Sequence, residues 1–311
     1  MKGGRVRVGT RGSKLALIQA ESLTRELEKS DPALACELVV IKTRGDRILD
    51  SPLSNIAGKG LFITELEEAL LSREIDLAVH SLKDLPTELP EDLELGAVLK
   101  REDARDALVS GSGKILDDIS PAEAIGTSSL RRKAQLLHYH PYYRIVDIRG
   151  NIDTRLKKLE NGACDALVLA ASGLKRAGYA HRITEYLDPE LVVPAPCQGV
   201  IGVEIRRDDE EVKNMIQAVN HEATMRVARG ERAFLGVLEG GCQVPIGCSS
   251  SVHGDTFEMT GLISDLDGRR VIKRKLSGNL NNVVQIARDL AEQILSEGGR
   301  EILAEIRVSN G

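Results

Sequence analysis

Residues 124–137, AIGTSSLRRKAQLL, pass from a short apolar strand through a serine-rich turn into an amphipathic helix. The same order recurs twice: the strand Ile145–Ile148 precedes RGNIDTRLKKLENG, and the strand Ala166–Ala170 precedes ASGLKRAG. Strands that alternate with helices in this way predict an α/β fold with a largely parallel sheet. Ser128 or Ser129 is the expected N-cap of the first helix.

Arginines lie just beyond each of these strands. Arg131 and Arg132 occupy the first helical turn, where the helix dipole favours carboxylates, so two cations there indicate a bound anion. The alternative is that their aliphatic stems cover apolar surface. Arg149, Arg155 and Arg176 follow the next two strands. Because guanidinium groups bind carboxylates and phosphates through paired hydrogen bonds, these arginines predict a small ligand with several such groups.

The N-terminal third repeats the order of strand, turn and helix. RVRV runs into GTRGS at residues 9–13, where Arg11 and the N-cap Ser13 predict an anion-binding turn; an arginine solvated on a loop is the alternative. The apolar strand Ile75–Val79 runs into HSLKDLPTELP. Ligands of open α/β sheets bind beyond the carboxyl ends of the strands, so Asp84 is the candidate general acid or base. Its alternative role is to cap the turn.

Two further stretches carry residues suited to a site. A second strand, Glu37–Thr43, leads into KTRGD, and AGKGLF opens a helix at residues 57–62. Phe62 beside Lys59 is predicted either as a stacking surface near a cation or as an ordinary core residue.

The loop LGVLEGGCQVPIG, residues 235–247, presents one cysteine behind two glycines. A helix with an apolar stripe precedes it, Gly240 and Gly241 end that helix, and Pro245 prevents its continuation. A thiol on such a turn serves as a nucleophile or a covalent anchor, so Cys242 is a candidate attachment site. A small buried hydrophobe is the alternative, and this stretch does not decide between them.

Composition excludes several classes of protein. A formal net charge of −5 argues against general nucleic-acid binding, and no apolar run reaches the ~18 residues of a membrane-spanning helix. The five cysteines include no C-x-x-C pair, which favours a reducing cytoplasm over a disulfide framework. No signal peptide is predicted. His138 and His140 have no carboxylate neighbours in the sequence, so we expect no metal site. For the oligomeric state, a monomer is the default expectation.

The order of elements predicts three parts. The strand VIGVEIRRDD after PAPCQG indicates that the chain returns to its first lobe, with crossings near residues 98–105 and 194–200. The expected fold class is α/β: two doubly wound lobes with a ligand-binding hinged cleft, as in type II periplasmic binding proteins, plus a small α+β C-terminal domain. The expected first lobe, second lobe and Cys242-bearing domain are residues 1–99 with 200–218, 105–193, and 222–311.

Taken together, the motifs resemble those of the porphobilinogen deaminase family, also called hydroxymethylbilane synthases, of haem and tetrapyrrole biosynthesis. The strings that carry the resemblance are GTRGSKLAL, KTRGD, AGKGLF, HSLKDLPT, GTSSLRR, RGNIDTRL and ERAFLGVLEGGCQVPIG, spread over essentially the whole chain. The resemblance implies a transferase that condenses four porphobilinogen molecules head to tail with loss of ammonia. A linear hydroxymethylbilane is then released by hydrolysis.

The resemblance also implies the site residues. A dipyrromethane cofactor is expected on Cys242 through a thioether, and the catalytic carboxylate matches Asp84. Further cofactor-binding positions match Ser13, Asp46, Ser81, Lys83, Thr127, Ser129, Arg131, Arg132 and Arg155. Substrate-binding positions match Arg11, Gln19, Lys59, Phe62, Arg149, Arg155, Arg176 and Gln198.

The implied chemistry fits these residue types. Loss of ammonia from an aminomethyl pyrrole leaves a cationic azafulvene, which requires a proton donor first and a nearby anion afterwards. One carboxylate serves both needs and then accepts the ring proton. Each pyrrole brings two carboxylates, so a growing chain requires several cationic sockets, and a covalent anchor retains the intermediates.

One position departs from the family pattern. The family usually has glycine before the Gln-Gly of the turn, where this chain has Cys197 in PAPCQG. If the backbone there requires a positive φ, cysteine strains it by ~1–2 kcal/mol. We expect Cys197 to be dispensable and unmodified.

Two other functions suit the same lobes. A two-lobe anion-binding protein shares the plan without catalysis, but Asp84 and Cys242 have no purpose in it. A degenerate relative with a scaffolding role is disfavoured by the complete set of arginines. Release of ammonia from porphobilinogen separates all three.

Overall fold

The computed structural model describes residues 5–43, 63–238 and 244–310. The chain divides into two compact units. Unit 1 is Met1–Glu102 with Gly199–Arg226, and unit 2 is Asp103–Gln198 with Val227–Gly311. The chain therefore leaves unit 1 once, returns to it for a short stretch, and leaves it again before the C-terminal part.

Strands and helices alternate through most of the described chain. The strands are β1 (Arg5–Arg11), β2 (Ala35–Ile41), β3 (Leu77–Ser81), β4 (Leu93–Val98), β5 (Asp106–Ser110), β6 (Ala124–Gly126), β7 (Arg144–Val146), β8 (Ala166–Ala170), β9 (Glu185–Tyr186), β10 (Ile201–Arg206), β11 (Ile246–His253), β12 (Thr256–Ser264) and β13 (Val271–Asn279). The α-helices are α1 (Lys14–Ser30), α2 (Thr64–Leu71), α3 (Leu130–Tyr139), α4 (Ile152–Glu160), α5 (Ala171–Arg176), α6 (Glu210–Gln217), α7 (Glu222–Val237), α8 (Val283–Ile294) and α9 (Arg300–Asn310). In the described ranges, none of these helices is long and apolar enough to cross a bilayer.

Unit 1 contains sheet 1, whose strand order is β2-β1-β3-β10-β4. β1 pairs in parallel with β2 and β3, whereas β10 is antiparallel to both β3 and β4. Ile201 of β10 is opposite Ser81, the last residue of β3. The returning chain thus enters sheet 1 at the end where the parallel strands finish.

Helices cover both faces of sheet 1 because its strands carry apolar side chains on both sides. On one face, Val8 of β1 and Val203 of β10 pack with Leu23 of α1 and with α6. On the other face, Leu66 and Leu70 of α2 pack against the sheet. Burial on two faces fixes the register of the strands, and therefore fixes which residues stand at their ends.

The first part of unit 2 contains sheet 2, whose strand order is β7-β6-β8-β5-β9. β6 is parallel to β7 and β8, and β5 is antiparallel to β8 and β9. Sheet 2 therefore repeats the pattern of sheet 1, with three parallel strands followed by one antiparallel strand that enters from a crossing segment. Leu156 of α4 packs on one face, and Leu136 of α3 packs on the other.

The C-terminal part of unit 2 is an antiparallel sheet, β11-β12-β13, with helices on it. Its core includes Phe234 of α7, Phe257 of β12 and Leu290 of α8, each fully buried. The α/β class with a small C-terminal α+β part, which the sequence predicts, is confirmed.

Three details of sheet 1 differ from the sequence expectation. The strand expected at Glu37–Thr43 begins and ends two residues earlier, as β2 at Ala35–Ile41. The strand expected at residues 75–79 lies at Leu77–Ser81, because Ile75 N–H bonds back to the Ala69 carbonyl at 3.2 Å and still belongs to the turn after α2. β4 was not expected at all. Its alternating Leu93, Leu95 and Ala97 are a period-2 signal that a search for alternation finds.

Cys197 has a positive φ of 60° and is almost completely buried. Its N–H donates to Glu231 Oε2 at 2.6 Å, which holds the turn in this conformation. We expect Cys197→Gly to raise the free energy of unfolding by up to about 1 kcal/mol, since glycine adopts this φ without strain but loses more entropy on folding.

The β-branched variant Cys197→Val is the matched control for Cys197→Gly. Valine suffers more than cysteine at a positive φ, so this variant is expected to be less stable than the wild type. Thermal unfolding of the three proteins measures both effects. A glycine variant less stable than the valine variant would contradict the strain argument.

Candidate functional site

Several of the predicted residues gather where the parallel strands of sheet 1 end, here called the carboxyl end of sheet 1. Arg11 is the last residue of β1, and Ser81 is the last residue of β3. Ser13 caps α1, with its Oγ accepting from the Ala16 N–H at 3.3 Å. Because β1 and β3 are parallel, these side chains belong to the same end of the sheet.

Gln19 and Ser81 are hydrogen-bonded to each other. Gln19 Nε2 donates to Ser81 Oγ at 2.8 Å, which ties α1 to the end of β3. Gln19 is buried, with 4% of its surface exposed. In this structure, Gln19 therefore orients the Ser81 hydroxyl group.

Asp84 ends a short 3-10 helix, Leu82–Asp84, that follows β3 directly. Leu82, the first residue of this helix, and Leu85, the residue after Asp84, are both buried. The Leu82 N–H donates to the Val200 carbonyl at 2.9 Å. The Asp84 side chain is exposed, and no described residue donates a hydrogen bond to its carboxylate. A firmly held backbone thus presents an accessible carboxylate, the property that a general acid requires. Lys83 beside it is half-buried.

A second group of predicted residues gathers where β6, β7 and β8 end, here called the carboxyl end of sheet 2. Thr127 directly follows β6 and is buried. Ser129 caps α3, with its Oγ accepting from the Arg132 N–H at 3.4 Å. Arg149 follows β7. Arg176 lies farther from the strand ends, at the last residue of α5, six residues beyond β8. The repeated strand-helix order therefore brings Thr127, Ser129 and Arg149 to one end of sheet 2.

Arg131 and Arg132 share a carboxylate that the sequence analysis did not single out, Asp106 at the start of β5. Arg131 Nη1 donates to Asp106 Oδ2 at 2.7 Å. Arg132 donates to Oδ1 from Nε at 3.0 Å and from Nη2 at 2.7 Å. Arg131 and Arg132 are 5% and 6% exposed, and Asp106 is completely buried. These two arginines therefore have a buried protein counter-ion in common.

The electrostatics of this cluster favour the charged forms. Burial alone would raise the pKa of Asp106, but the charges and hydrogen bonds of Arg131 and Arg132 outweigh it and hold that pKa well below its usual range. Burial lowers the pKa of the Arg131 guanidinium, and Asp106 opposes that change. The buried cluster has two positive charges and one negative charge at neutral pH.

Arg155 has different surroundings. Its Nε donates to the Gly150 carbonyl at 2.8 Å, and no described carboxylate forms an ion pair with it. Burial, and then the positive charge of Arg132, lower the pKa of Arg155 to about 10, so it stays protonated at neutral pH. A partly buried cation that no described carboxylate pairs with is suited to a carboxylate from a ligand.

Arg149 and Gln198 are engaged with protein groups. Arg149 Nε donates to Asp147 Oδ2 at 2.7 Å. Gln198 is completely buried, and its Nε2 donates to the Ala104 carbonyl at 2.7 Å and to Asp106 Oδ1 at 2.9 Å. In this structure the Gln198 amide braces the start of β5.

Four of the predicted site residues lie outside the described residues: Asp46, Lys59, Phe62 and Cys242. Their roles stay predictions. In the described ranges, no group of three or more His, Cys, Asp and Glu side chains is arranged to hold a metal ion.

A second buried polar pair that the sequence analysis did not identify lies in unit 1. His80 Nε2 is 2.8 Å from Glu204 Oε2, and both side chains are buried. The pair links β3 to β10 one residue before Ser81. Its sequence signal is a histidine and a glutamate inside two mainly apolar strands, at positions where uncharged residues are the rule.

Comparison with known proteins gives consistent matches over nearly the whole chain. Residues 6–214 match the family model described as "Porphobilinogen deaminase, dipyromethane cofactor binding domain", and residues 225–296 match "Porphobilinogen deaminase, C-terminal domain". A relative named porphobilinogen deaminase from Geobacter metallireducens is 50% identical over 97% of this chain and 94% of its own length. Relatives with that name from Geobacter sulfurreducens and Alkaliphilus metalliredigens are 49% and 45% identical, over 97% and 98% of this chain and 95% and 96% of their own lengths. The chain therefore belongs to the porphobilinogen deaminase family.

Proposed function

We propose that the protein is a hydroxymethylbilane synthase that joins four porphobilinogen molecules head to tail, with loss of ammonia at each step. Hydrolysis then releases the linear hydroxymethylbilane. The observation that carries the proposal is the exposed Asp84 carboxylate, held by buried neighbours at the carboxyl end of sheet 1. The family match supports the same reaction.

Asp84 acts as both proton donor and proton acceptor. The Asp84 carboxyl group protonates the leaving amine as the carbon–nitrogen bond breaks, and ammonia departs with the bonding electrons. The resulting Asp84 carboxylate stabilises the substrate cation. It then takes up the ring proton that carbon–carbon bond formation releases, which returns Asp84 to its starting state. One carboxylate therefore balances the protons of each cycle.

Within unit 2, the cationic and hydroxyl groups at the carboxyl end of sheet 2 suit a ligand with several carboxylates. Arg155 has no described carboxylate partner, so its guanidinium suits an acetate or propionate group of a ligand. Thr127 and Ser129 add hydroxyl groups next to the first turn of α3. These donors of unit 2 suit the carboxylates of a dipyrromethane, which carries four, two on each pyrrole ring.

Cys242 is the attachment point that we propose for the cofactor, through a thioether. When bound, the dipyrromethane supplies a tethered primer on which the product is assembled. The protein's own contribution is to hold the carboxylates by Arg155 and its neighbours, and to move protons at Asp84.

We expect the purified full-length protein to be heavier than its bare chain by one dipyrromethane. Cys242→Ser is expected to have the mass of the bare chain, because serine lacks the nucleophilic sulfur. Cys36→Ser is the matched control: Cys36 is a half-buried thiol on β2, and its change should leave the added mass in place. Intact-mass spectrometry measures all three. A wild type with the bare mass would refute the cofactor assignment.

Measuring the release of ammonia distinguishes an enzyme from a protein that only binds anions. The proposed enzyme consumes porphobilinogen and releases one ammonia per molecule, whereas a binding protein retains the ligand unchanged. Stoichiometric binding without ammonia would favour the binding protein.

We further propose that the protein works as a monomer in a reducing cytoplasm. No disulfide joins the described cysteines Cys36, Cys164, Cys197 and Cys248. Burial raises the pKa of Cys36 and of Cys164 to about 11, which keeps both protonated at neutral pH. The net charge of −5 supports a monomer through mutual repulsion. Sedimentation is expected to give a mass near 33.8 kDa.

A further inference from the structure

We propose that Asp106 is a positioning residue for the cofactor: it holds Arg131 and Arg132 in the orientation that receives a cofactor carboxylate. The inference rests on the proposed function. Asp106 belongs to neither the catalytic nor the ligand-contacting set that the sequence predicted. Its case rests on its position, its hydrogen bonds and its charge.

The position of Asp106 follows from the topology of sheet 2. Asp106 is the first residue of β5 and stands opposite Ala170, the last residue of β8. Because β5 is antiparallel to β8, it begins where the parallel strands end. The start of β5 therefore lies at the same end of the sheet as Thr127, Ser129 and the two arginines.

The hydrogen bonds of Asp106 fix both guanidinium planes. One carboxylate oxygen accepts from Arg131, and the other accepts two N–H groups of Arg132. Carboxylate–guanidinium contacts are planar and directional, so they set the rotation of each group as well as its position. Arg131 Nη1 also donates to the Val193 carbonyl at 2.6 Å, and Arg132 Nη1 to the Val168 carbonyl at 3.2 Å. Few alternative orientations remain for either arginine.

Asp106 is itself held by a hydrogen bond from the second crossing segment, residues 194–200. Gln198 Nε2 donates to Asp106 Oδ1 at 2.9 Å. Beside it, the Cys197 N–H donates to Glu231 of α7, and the Cys248 N–H of β11 donates to the Pro194 carbonyl at 2.9 Å. The arginine cluster is thereby anchored to the C-terminal part of unit 2.

Charge balance gives Asp106 a second role. Without it, Arg131, Arg132 and Arg155 would bring three positive charges into one partly buried region, and they would repel one another. Asp106 removes one of those charges while leaving a net positive cluster. The cluster therefore still attracts ligand carboxylates, and its arginines keep their orientation before a ligand binds.

Unit 1 offers a matched control, because Asp76 is also a buried carboxylate shared by two arginines. Arg7 Nη2 donates to Asp76 Oδ1 at 2.7 Å, and Arg206 Nη2 lies 3.7 Å from the same oxygen. Asp76 is 7% exposed. It directly precedes β3, at the opposite end of that strand from Ser81 and Asp84. Its loss therefore disturbs a similar ion cluster away from the proposed site.

The test compares full-length Asp106→Asn, Asp76→Asn and wild type by thermal unfolding and intact-mass spectrometry. Both variants are expected to unfold at lower temperature than the wild type. The fraction of chains with the dipyrromethane mass is expected to fall at least tenfold in Asp106→Asn and to stay near wild type in Asp76→Asn. Equal loading of the two variants, whether retained or lost in both, would overturn the positioning role.

The two proposals fail in different ways. A wild type without the added mass would end the proposed function and this inference together. A loaded wild type with a fully loaded Asp106→Asn would end this inference alone.

If Asp106→Asn does not accumulate as folded protein, Asp106→Glu replaces it. Glutamate keeps the charge but moves the carboxylate by one methylene, so we expect a folded protein with loading reduced at least threefold. Wild-type loading in that variant would overturn the proposal.

Discussion

Asp84→Asn is expected to lower the turnover of porphobilinogen by about 10²–10⁴-fold, the usual contribution of a general acid–base group. Asparagine has nearly the same shape but neither donates an acidic proton nor accepts one from the ring. The cofactor mass should remain, because the thioether forms elsewhere in the chain. Ammonia release and intact mass, measured on the same preparation, check both parts of the expectation.

Glu88→Gln is the control for this experiment. Glu88 is an exposed carboxylate on the same loop, four residues beyond Asp84. Its neutralisation changes the local charge by the same amount and should leave turnover within about twofold of wild type. If Asp84→Asn turned over as fast as Glu88→Gln, Asp84 would have no part in proton transfer.

Arg132→Met and Arg155→Met are expected to differ in stability although both remove an arginine from the carboxyl end of sheet 2. Arg132→Met takes two hydrogen bonds from Asp106 and leaves part of a buried charge uncompensated, which costs about 3–5 kcal/mol of unfolding free energy. Arg155→Met removes a cation without a described carboxylate partner, so we expect a change below about 1 kcal/mol. Thermal and denaturant unfolding measure the difference.

Loading completes the comparison between these two arginines. Arg155→Met should remain folded and still load poorly with cofactor, because its charge serves the ligand. A folded Arg155→Met with full loading would contradict its role in holding a carboxylate. An Arg132→Met as stable as the wild type would contradict the buried ion cluster, and a double variant with Asp106→Leu is expected to recover part of the lost stability.

Local features of the chain were readable from the sequence. Ser13, and either Ser128 or Ser129, are predicted as helix N-caps, and the structure has Ser13 and Ser129 in that role. The strand Ala166–Ala170 has the expected bounds. Such features depend on residues within one or two turns of each other, so apolar periodicity and capping side chains suffice to predict them.

Contacts between distant segments were not readable in this way. Arg131 and Arg132 were expected to face an anion, and the structure adds that Asp106, 25 residues before Arg131, is already bound to both. Gln198 was expected at a ligand, yet its amide bonds to Asp106, 92 residues away. No local pattern distinguishes an arginine paired with a protein carboxylate from one that awaits a ligand.

There is a physical reason why some of these features can be predicted from the sequence and others are seen only in the folded structure. Residue order alone determined the α/β class, the strand-helix repeats, the family and the candidates Asp84 and Arg155, because each depends on short-range patterns or on motif strings. Tertiary structure decided that β5 and β10 run against their neighbours, and therefore that Asp106 lies beside the arginines and Val200 beside Leu82. Strand order is set by burial on both faces of a whole sheet, and only the folded chain shows which charges it brings together.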